Sequence, residues 1–240
     1  MRFESYAQEW EDLILYIILK NIRGGFYIDI GANDPIELSV TKTFYDMGWS
    51  GINIEPLRSK CLLLQDKRPR DINLCIGVGS KNERLPLISA GTGSTFSSDI
   101  EEKNHLQNKN KFMKPIMVLS DIYEQYCNIN QDVHFCKIDV EGFEGQVLEG
   151  IKNWNVFRPW IFVIESTLPG TGIPCHEMWE HILIENGYLF AYNTAIERYY
   201  IDERREYLLE GFQNIKEFIN KNEVVKMRME IVTPDLRNGV

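Results

Sequence analysis

Trp10, Leu13, Ile14, Ile17 and Ile18 recur at three- and four-residue spacing, which predicts an amphipathic helix over residues 6–20. Ser5-Tyr6-Ala7-Gln8 reads as its capping box, and Asn21 with Gly24-Gly25 as its stop. Beyond residue 25 the pattern changes to short continuous apolar runs, at 26–30, 52–55, 72–77, 133–142 and 158–165, each of the kind a strand buried on both faces needs. Helical patterns separate them. Val40, Phe44 and Met47 face inward from a helix over 36–47, with Gly48 past its end. Pro56 stands at the first position of the next helix, whose stripe is Leu57, Cys61 and Leu64 and whose close is the basic run Lys67 to Arg70. Ser120-Asp121 caps a brief helix to Cys127, another runs from Phe143 to Ile151, and Met178, Trp179, Ile182 and Leu183 mark one over 176–186. After Gly187, residues 188–192 pair with 198–201 as a hairpin. Short strands at 85–88 and 116–119 flank a small-residue loop from Gly91 to Ser98, and past a short helix after Asp202 the tail 213–240 has no clean period. Strands alternating with helices predict a parallel sheet covered on both faces.

A chain of 240 residues is expected to be one domain, with an N-terminal helix over 1–25, a core over 26–205 and an extension over 206–240. The net charge of -9 argues against a nucleic-acid partner. No signal-peptide pattern and no apolar run of bilayer length stand out, so the expected state is soluble and cytoplasmic, without membrane insertion. Cys61, Cys75, Cys127, Cys136 and Cys175 lack C-x-x-C spacing, which suggests free thiols and neither a disulfide framework nor a zinc site.

The chemistry concentrates where the first strand ends, at Asp29-Ile30-Gly31-Ala32-Asn33-Asp34. A dinucleotide turn carries three glycines and holds a pyrophosphate on backbone N–H groups. Here only Gly31 fits, and Asp29, Asp34 and Glu37 would repel a phosphate while attracting a cation. S-adenosylmethionine, with a sulfonium and an ammonium, suits this turn better than NAD. Its ribose diol can be bound by a carboxylate at the end of the second strand, where Glu55 stands. Ile76-Gly77-Val78-Gly79, at the end of the third strand, leaves room for an adenine ring against Gly77 or is a plain tight turn.

The words D-I-G-A-N-D at 29–34, G-W-S-G-I-N-I-E-P at 48–56 and K-I-D-V-E-G-F-E at 137–144 resemble those of FkbM-type methyltransferases. The resemblance covers residues 5–205 and implies a class I methyltransferase fold: Rossmann-like α/β, a seven-stranded mostly parallel sheet with an antiparallel terminal hairpin. It implies cofactor contacts at Asp29, Gly31, Asn33 and Glu55, and, since such enzymes commonly O-methylate sugars, a glycan or small-molecule hydroxyl as acceptor. Pro35 and Val40 depart from the pattern, which puts the contacts of a family asparagine in doubt. Gln8 and Asp12 match recurrent positions but read equally as a cap and a solvated face, and stay outside the site; Gly93-Ser94-Thr95 resembles a family word in a loop.

Ligands of open α/β sheets bind beyond the carboxyl ends of the strands, where Asp139, Glu141 and Glu165 stand. A strand running to Glu141 places Asp139 and Glu141 on one face. By distant similarity to metal-dependent sugar O-methyltransferases, Asp139 and Glu165 would bind Mg²⁺ and Glu141 would act as base; equally, Asp139 caps a helix and Glu165 binds a turn. Asp139 is counted as a cofactor contact too, and Lys137 as its ion-pair partner. His176, near the Gly- and Pro-rich segment 169–174, is a further catalytic candidate or a helix-end residue. Two rivals remain, a nicotinamide-dependent oxidoreductase and a binding protein that keeps the fold without turnover.

Overall fold

The computed structural model describes residues 2–88, 94–96, 111–128, 130–221 and 223–226. In chain order the elements are β1 (Arg2–Ser5), α1 (Glu11–Leu19), β2 (Phe26–Ile30), α2 (Lys42–Asp46), β3 (Ser50–Ile54), α3 (Arg58–Lys67), β4 (Ile72–Leu74), β5 (Gly77–Gly79), β6 (Glu83–Ile88) and β7 (Lys111–Val118). There follow α4 (Leu119–Tyr126), β8 (Phe135–Ile138), α5 (Glu144–Glu149), β9 (Ile161–Glu165), α6 (Glu180–Glu185), β10 (Tyr188–Asn193), β11 (Glu197–Asp202), α7 (Leu209–Gln213), α8 (Ile215–Lys221) and β12 (Glu223–Lys226).

Seven strands form one sheet in the order β10-β11-β9-β8-β2-β3-β4. From β9 to β4 all pairs are parallel, and β11 is inserted antiparallel between β9 and β10. Alternation along the strands divides the core in two. Ile28, Ile30, Ile52, Ile138 and Ile164 face one way, onto Leu119 and Ile122 of α4, Val147 and Leu148 of α5 and Leu183 of α6. Tyr27, Phe135, Val163 and Tyr199 face the other, onto Leu13 and Ile17 of α1, Phe44 of α2 and Phe212 of α7. The expected mostly parallel sheet with helices on both faces and an antiparallel closing hairpin is thus the one found.

Boundaries differ from expectation for local reasons. Helix α1 begins at Glu11, since Trp10 is left-handed at φ 70; Ser5 belongs to β1 and donates its hydroxyl to Asp12 Oδ1 at 2.6 Å, so the capping box does not form. Helix α2 is confined to Lys42–Asp46. Ahead of it, Asp34 Oδ1 accepts from the N–H groups of Ile36 and Glu37, and Leu38 is left-handed at φ 56, which no helix tolerates. The third strand does not run to Gly77. It stops at Leu74, and β5 joins a separate three-stranded sheet, order β5-β7-β6. Between them Cys75 forms a disulfide with Cys61 of α3, their Cα atoms 5.5 Å apart; this corrects the expectation of five free thiols, the packing of α3 on β4 having brought together residues no motif pairs. Strand β8 ends at Ile138, four residues short of the expected end at Gly142. The tail supplies β12, which pairs in parallel with β1; residues 227–240 lie outside the described residues, as do 91–93 and 97–98 of the expected small-residue loop. Among the described residues no helix is long and apolar enough to cross a membrane.

Candidate active site

A cavity of about 370 Å³ opens at the carboxyl ends of β2, β3, β8 and β9. Its first wall is the turn after β2. Gly31 is left-handed at φ 81, and a Cβ there would lie 1.8 Å from the carbonyl oxygen of Asp139, so only glycine lets the exits of β2 and β8 approach this closely. Asp29 sits below it, 2% exposed. Its Oδ2 accepts from Thr41 Oγ1 at 2.9 Å, while Oδ1 is buried with no hydrogen-bond partner among the described residues. Burial raises its pKa, and the Lys137 ammonium works against that rise. Asp34 does not contribute free charge to the turn, because Lys60 holds its Oδ2 at 3.0 Å.

Glu55 leaves the end of β3 and reaches back to this turn. Its Oε2 accepts from Asn33 N at 2.9 Å and its Oε1 from Leu57 N at 2.7 Å. Burial raises its pKa and the two N–H groups oppose the rise. Each oxygen keeps a further lone pair for a ligand. Asn33, left-handed at φ 46, lines the cavity beside it, and Ile76, Gly77 and Val78 form the facing wall. A Cβ on Gly77 would fall 2.6 Å from the Phe96 ring, so the glycine is required by packing as well as by any ligand.

The floor is acidic. Lys137 Nζ binds Asp139 Oδ2 at 2.9 Å. The expected i, i+2 face is absent, because the chain turns after Ile138 and Glu141 is left-handed at φ 56, with Gly142 at φ 91 behind it. Glu141 nonetheless lines the cavity. Burial and the neighbouring Asp139 and Glu144 carboxylates push it up to about 7. Glu165 ends β9 and pairs across the sheet with Glu197, the first residue of β11. Burial and surrounding carboxylates raise both.

Asp29, Gly31, Asn33, Glu55, Gly77, Asp139, Glu141 and Glu165 therefore line one cavity. His176 does not join them. It opens the 3₁₀ turn His176–Met178 and is absent from the cavity lining. The arrangement does not fit Mg²⁺ at Asp139 and Glu165: among the described residues no group of three or more His, Cys, Asp or Glu is placed to hold a metal, and Lys137 already holds Asp139. S-adenosylmethionine fits better, since an orphaned Asp29 oxygen and a braced Glu55 carboxylate offer acceptors to its ammonium and ribose.

Sequence reasoning passed over Glu11 and Glu197 and left Gln8 outside the site as a cap or solvated position; all three are in the lining. Glu11 and Glu197 are each buried inside apolar-patterned segments, and that was the available signal: a carboxylate at a core position. Asp12 is structural, taking both Ser5 and Thr43 hydroxyls and two backbone N–H groups. Thr95 donates its hydroxyl to the Glu141 carbonyl oxygen at 2.8 Å, and Ser94 lines the cavity; Gly93 lies outside the described residues.

The sequence profile of the Methyltransferase FkbM domain matches residues 29–190. A crystal structure of methyltransferase FkbM from Methylobacillus flagellatus KT aligns with a TM-score of 0.51 at 18% identity, covering 82% of this chain and 48% of that one. At that identity the likeness concerns the fold, and this chain spans about half the length of that relative. A comparison with curated proteins gives no match.

Proposed function

The chain belongs to the FkbM methyltransferase family, and from that premise we propose that it transfers the methyl group of S-adenosylmethionine to a hydroxyl of a sugar or glycan intermediate. The observation that carries the cofactor half is the pair Asp29 and Glu55, two carboxylates lining one cavity on either side of a turn whose single close-approach glycine is Gly31. A pyrophosphate would meet like charge there, and a cation meets attraction.

When bound, S-adenosylmethionine supplies a methyl group on a positively charged sulfur, open to in-line displacement by an alcohol oxygen. Glu55 would accept hydrogen bonds from the ribose hydroxyls with the lone pairs that Asn33 and Leu57 leave free. Asp29 and Asp139 would receive the ammonium, and Gly77 would leave a wall for the adenine. Glu141 takes the acceptor hydroxyl's proton onto its carboxylate. With its pKa at about 7 it is a base near neutral pH and still basic enough to help. Lys137 orients Asp139 through their 2.9 Å ion pair.

Calorimetric titration with S-adenosylmethionine tests the reading. The wild type is expected to bind, and Glu55→Ala to bind more weakly by a factor of ten or more, about 1.4 kcal/mol. Absence of heat in the wild type, or equal affinity in the variant, overturns the assignment. A parallel NADH fluorescence titration is expected to be silent.

A further inference from the structure

Seven carboxylates and one cation, Lys137, are among the cavity-lining residues described. Four of those carboxylates have occupations: Asp29 is held by Thr41, Glu55 by two backbone N–H groups, Asp139 by Lys137, and Glu11 by the N–H of Glu9 at 2.7 Å. Glu141 is the base already described. Glu165 and Glu197 remain. They stand directly opposite each other on β9 and β11, a placement that weakens a sheet wherever both are ionised. The Oε2 of each is buried with no hydrogen-bond partner among the described residues, and Glu197 is only 1% exposed. A carboxyl pair kept for structure would bond to itself or to its surroundings. This one lines the cavity with two acceptors that the chain around it does not satisfy.

Their place separates them from the cofactor contacts. From β3, which carries Glu55, to β11 is four strand spacings, about 19 Å. The pair thus lies at the opposite end of the cavity from the ribose contact, on the far side of β8. Glu197 also falls beyond the segment 29–190 that matches the family profile. Lys137 forms its ion pair with Asp139, and its charge opposes, without cancelling, the rise that burial imposes on Glu197.

We infer that Glu165 and Glu197 form an acceptor subsite for a protonated primary amine, so that the methylated hydroxyl belongs to an amino-bearing compound such as an unacylated amino sugar. This rests on the methyl-transfer reading above for the word acceptor, though not for the binding itself. Burial and the surrounding carboxylates favour the protonated form of this pair in the empty cavity. An ammonium group brings three N–H donors for the unmet lone pairs and one positive charge that favours ionisation of the pair. A neutral hydroxyl would supply one donor and no such charge, and an N-acetyl group would add bulk without the cation.

The test is calorimetric titration of the full chain with glucosamine, glucose and N-acetylglucosamine, with and without S-adenosylhomocysteine, at a pH where the amine is protonated. Glucosamine is expected to bind at least about tenfold more tightly than either neutral sugar. Glu197→Gln should abolish that preference while retaining affinity for S-adenosylhomocysteine and the thermal midpoint; Glu165→Gln is the second variant if the first fails to fold. Equal affinities, or no heat from glucosamine, overturn the proposal. So does binding of Mg²⁺ that competes with glucosamine and is lost in Glu197→Gln, which would give the pair to a divalent ion. A preference for glucosamine without any binding of S-adenosylhomocysteine keeps the subsite and overturns the cofactor assignment instead.

Discussion

Glu141 shows how one backbone setting gives a side chain its role. A non-glycine residue at φ 56 costs about 1 kcal/mol or more, and here the turn is held by the Thr95 hydroxyl on its carbonyl and by Gly142 behind it. The turn brings the carboxylate into the cavity, where burial and Asp139 raise it to about 7. As a base it must be ionised, so turnover should rise with pH through about 7 and level off above it. Glu141→Gln should lower kcat by roughly 10²–10⁴-fold and remove that limb of the profile, with S-adenosylhomocysteine affinity unchanged. A variant that retains the wild-type pH profile would remove Glu141 from the proton transfer. That this residue stands at the cavity was legible from the acidic word at 137–144; that it arrives by a left-handed turn and not along a strand was not, because a single φ depends on what the neighbouring loop offers it.

At the scale of elements, short polar side chains replace helix where the chain wraps the cavity. Asp12, at the start of α1, accepts from Ser5 Oγ, Tyr6 N, Leu13 N and Thr43 Oγ1 and so ties β1 and α2 to α1. It is wholly buried. Asp12→Ala should strand these donors and destabilise the protein by about 2–4 kcal/mol in denaturant unfolding, and a loss below about 0.5 kcal/mol would contradict the tie. Arg68 does comparable work from the end of α3, donating to the Pro35 carbonyl, to Ser39 Oγ at 3.1 Å and to the Thr41 carbonyl at 3.4 Å. The periodicity at 36–47 suggested helix throughout, and these side-chain bonds are what keep its first half as a wall of the site. Periodicity records which positions face inward, and a buried loop satisfies the same record.

For the molecule as a whole, buried carboxylates with raised pKa reverse the usual response to acid. Glu144 opens α5, 2% exposed, and is pushed from the ordinary 4.5 to about 7 chiefly by burial, against hydrogen bonds from Gly142 N and Val140 N. Between pH 4.5 and 7 the folded chain keeps a proton that the unfolded chain has released. The contribution is full below 4.5 and is lost as pH rises through 7, with a ceiling on the order of 3 kcal/mol for this group. The thermal midpoint should therefore fall from pH 5 to pH 8, and Glu144→Gln, which keeps an acceptor oxygen, should flatten the slope. A midpoint that climbs over that range in the wild type would refute the sign.

The run-and-turn pattern alone determined the sheet, its covering on both faces and the acidic exits of β2, β3, β8 and β9, because burial on two faces demands apolar runs and a strand's end is where polarity returns. Charge alone favoured a cationic cofactor over a dinucleotide. Tertiary structure decided the rest. Residues distant in sequence, Cys61 with Cys75, Glu165 with Glu197 and Arg2–Ser5 with Glu223–Lys226, are neighbours only once helices and strands pack. Whether a carboxylate caps, pairs or stays unmet is likewise settled by what folding places within about 3 Å of it, the reach of a hydrogen bond, which no spacing along the chain encodes.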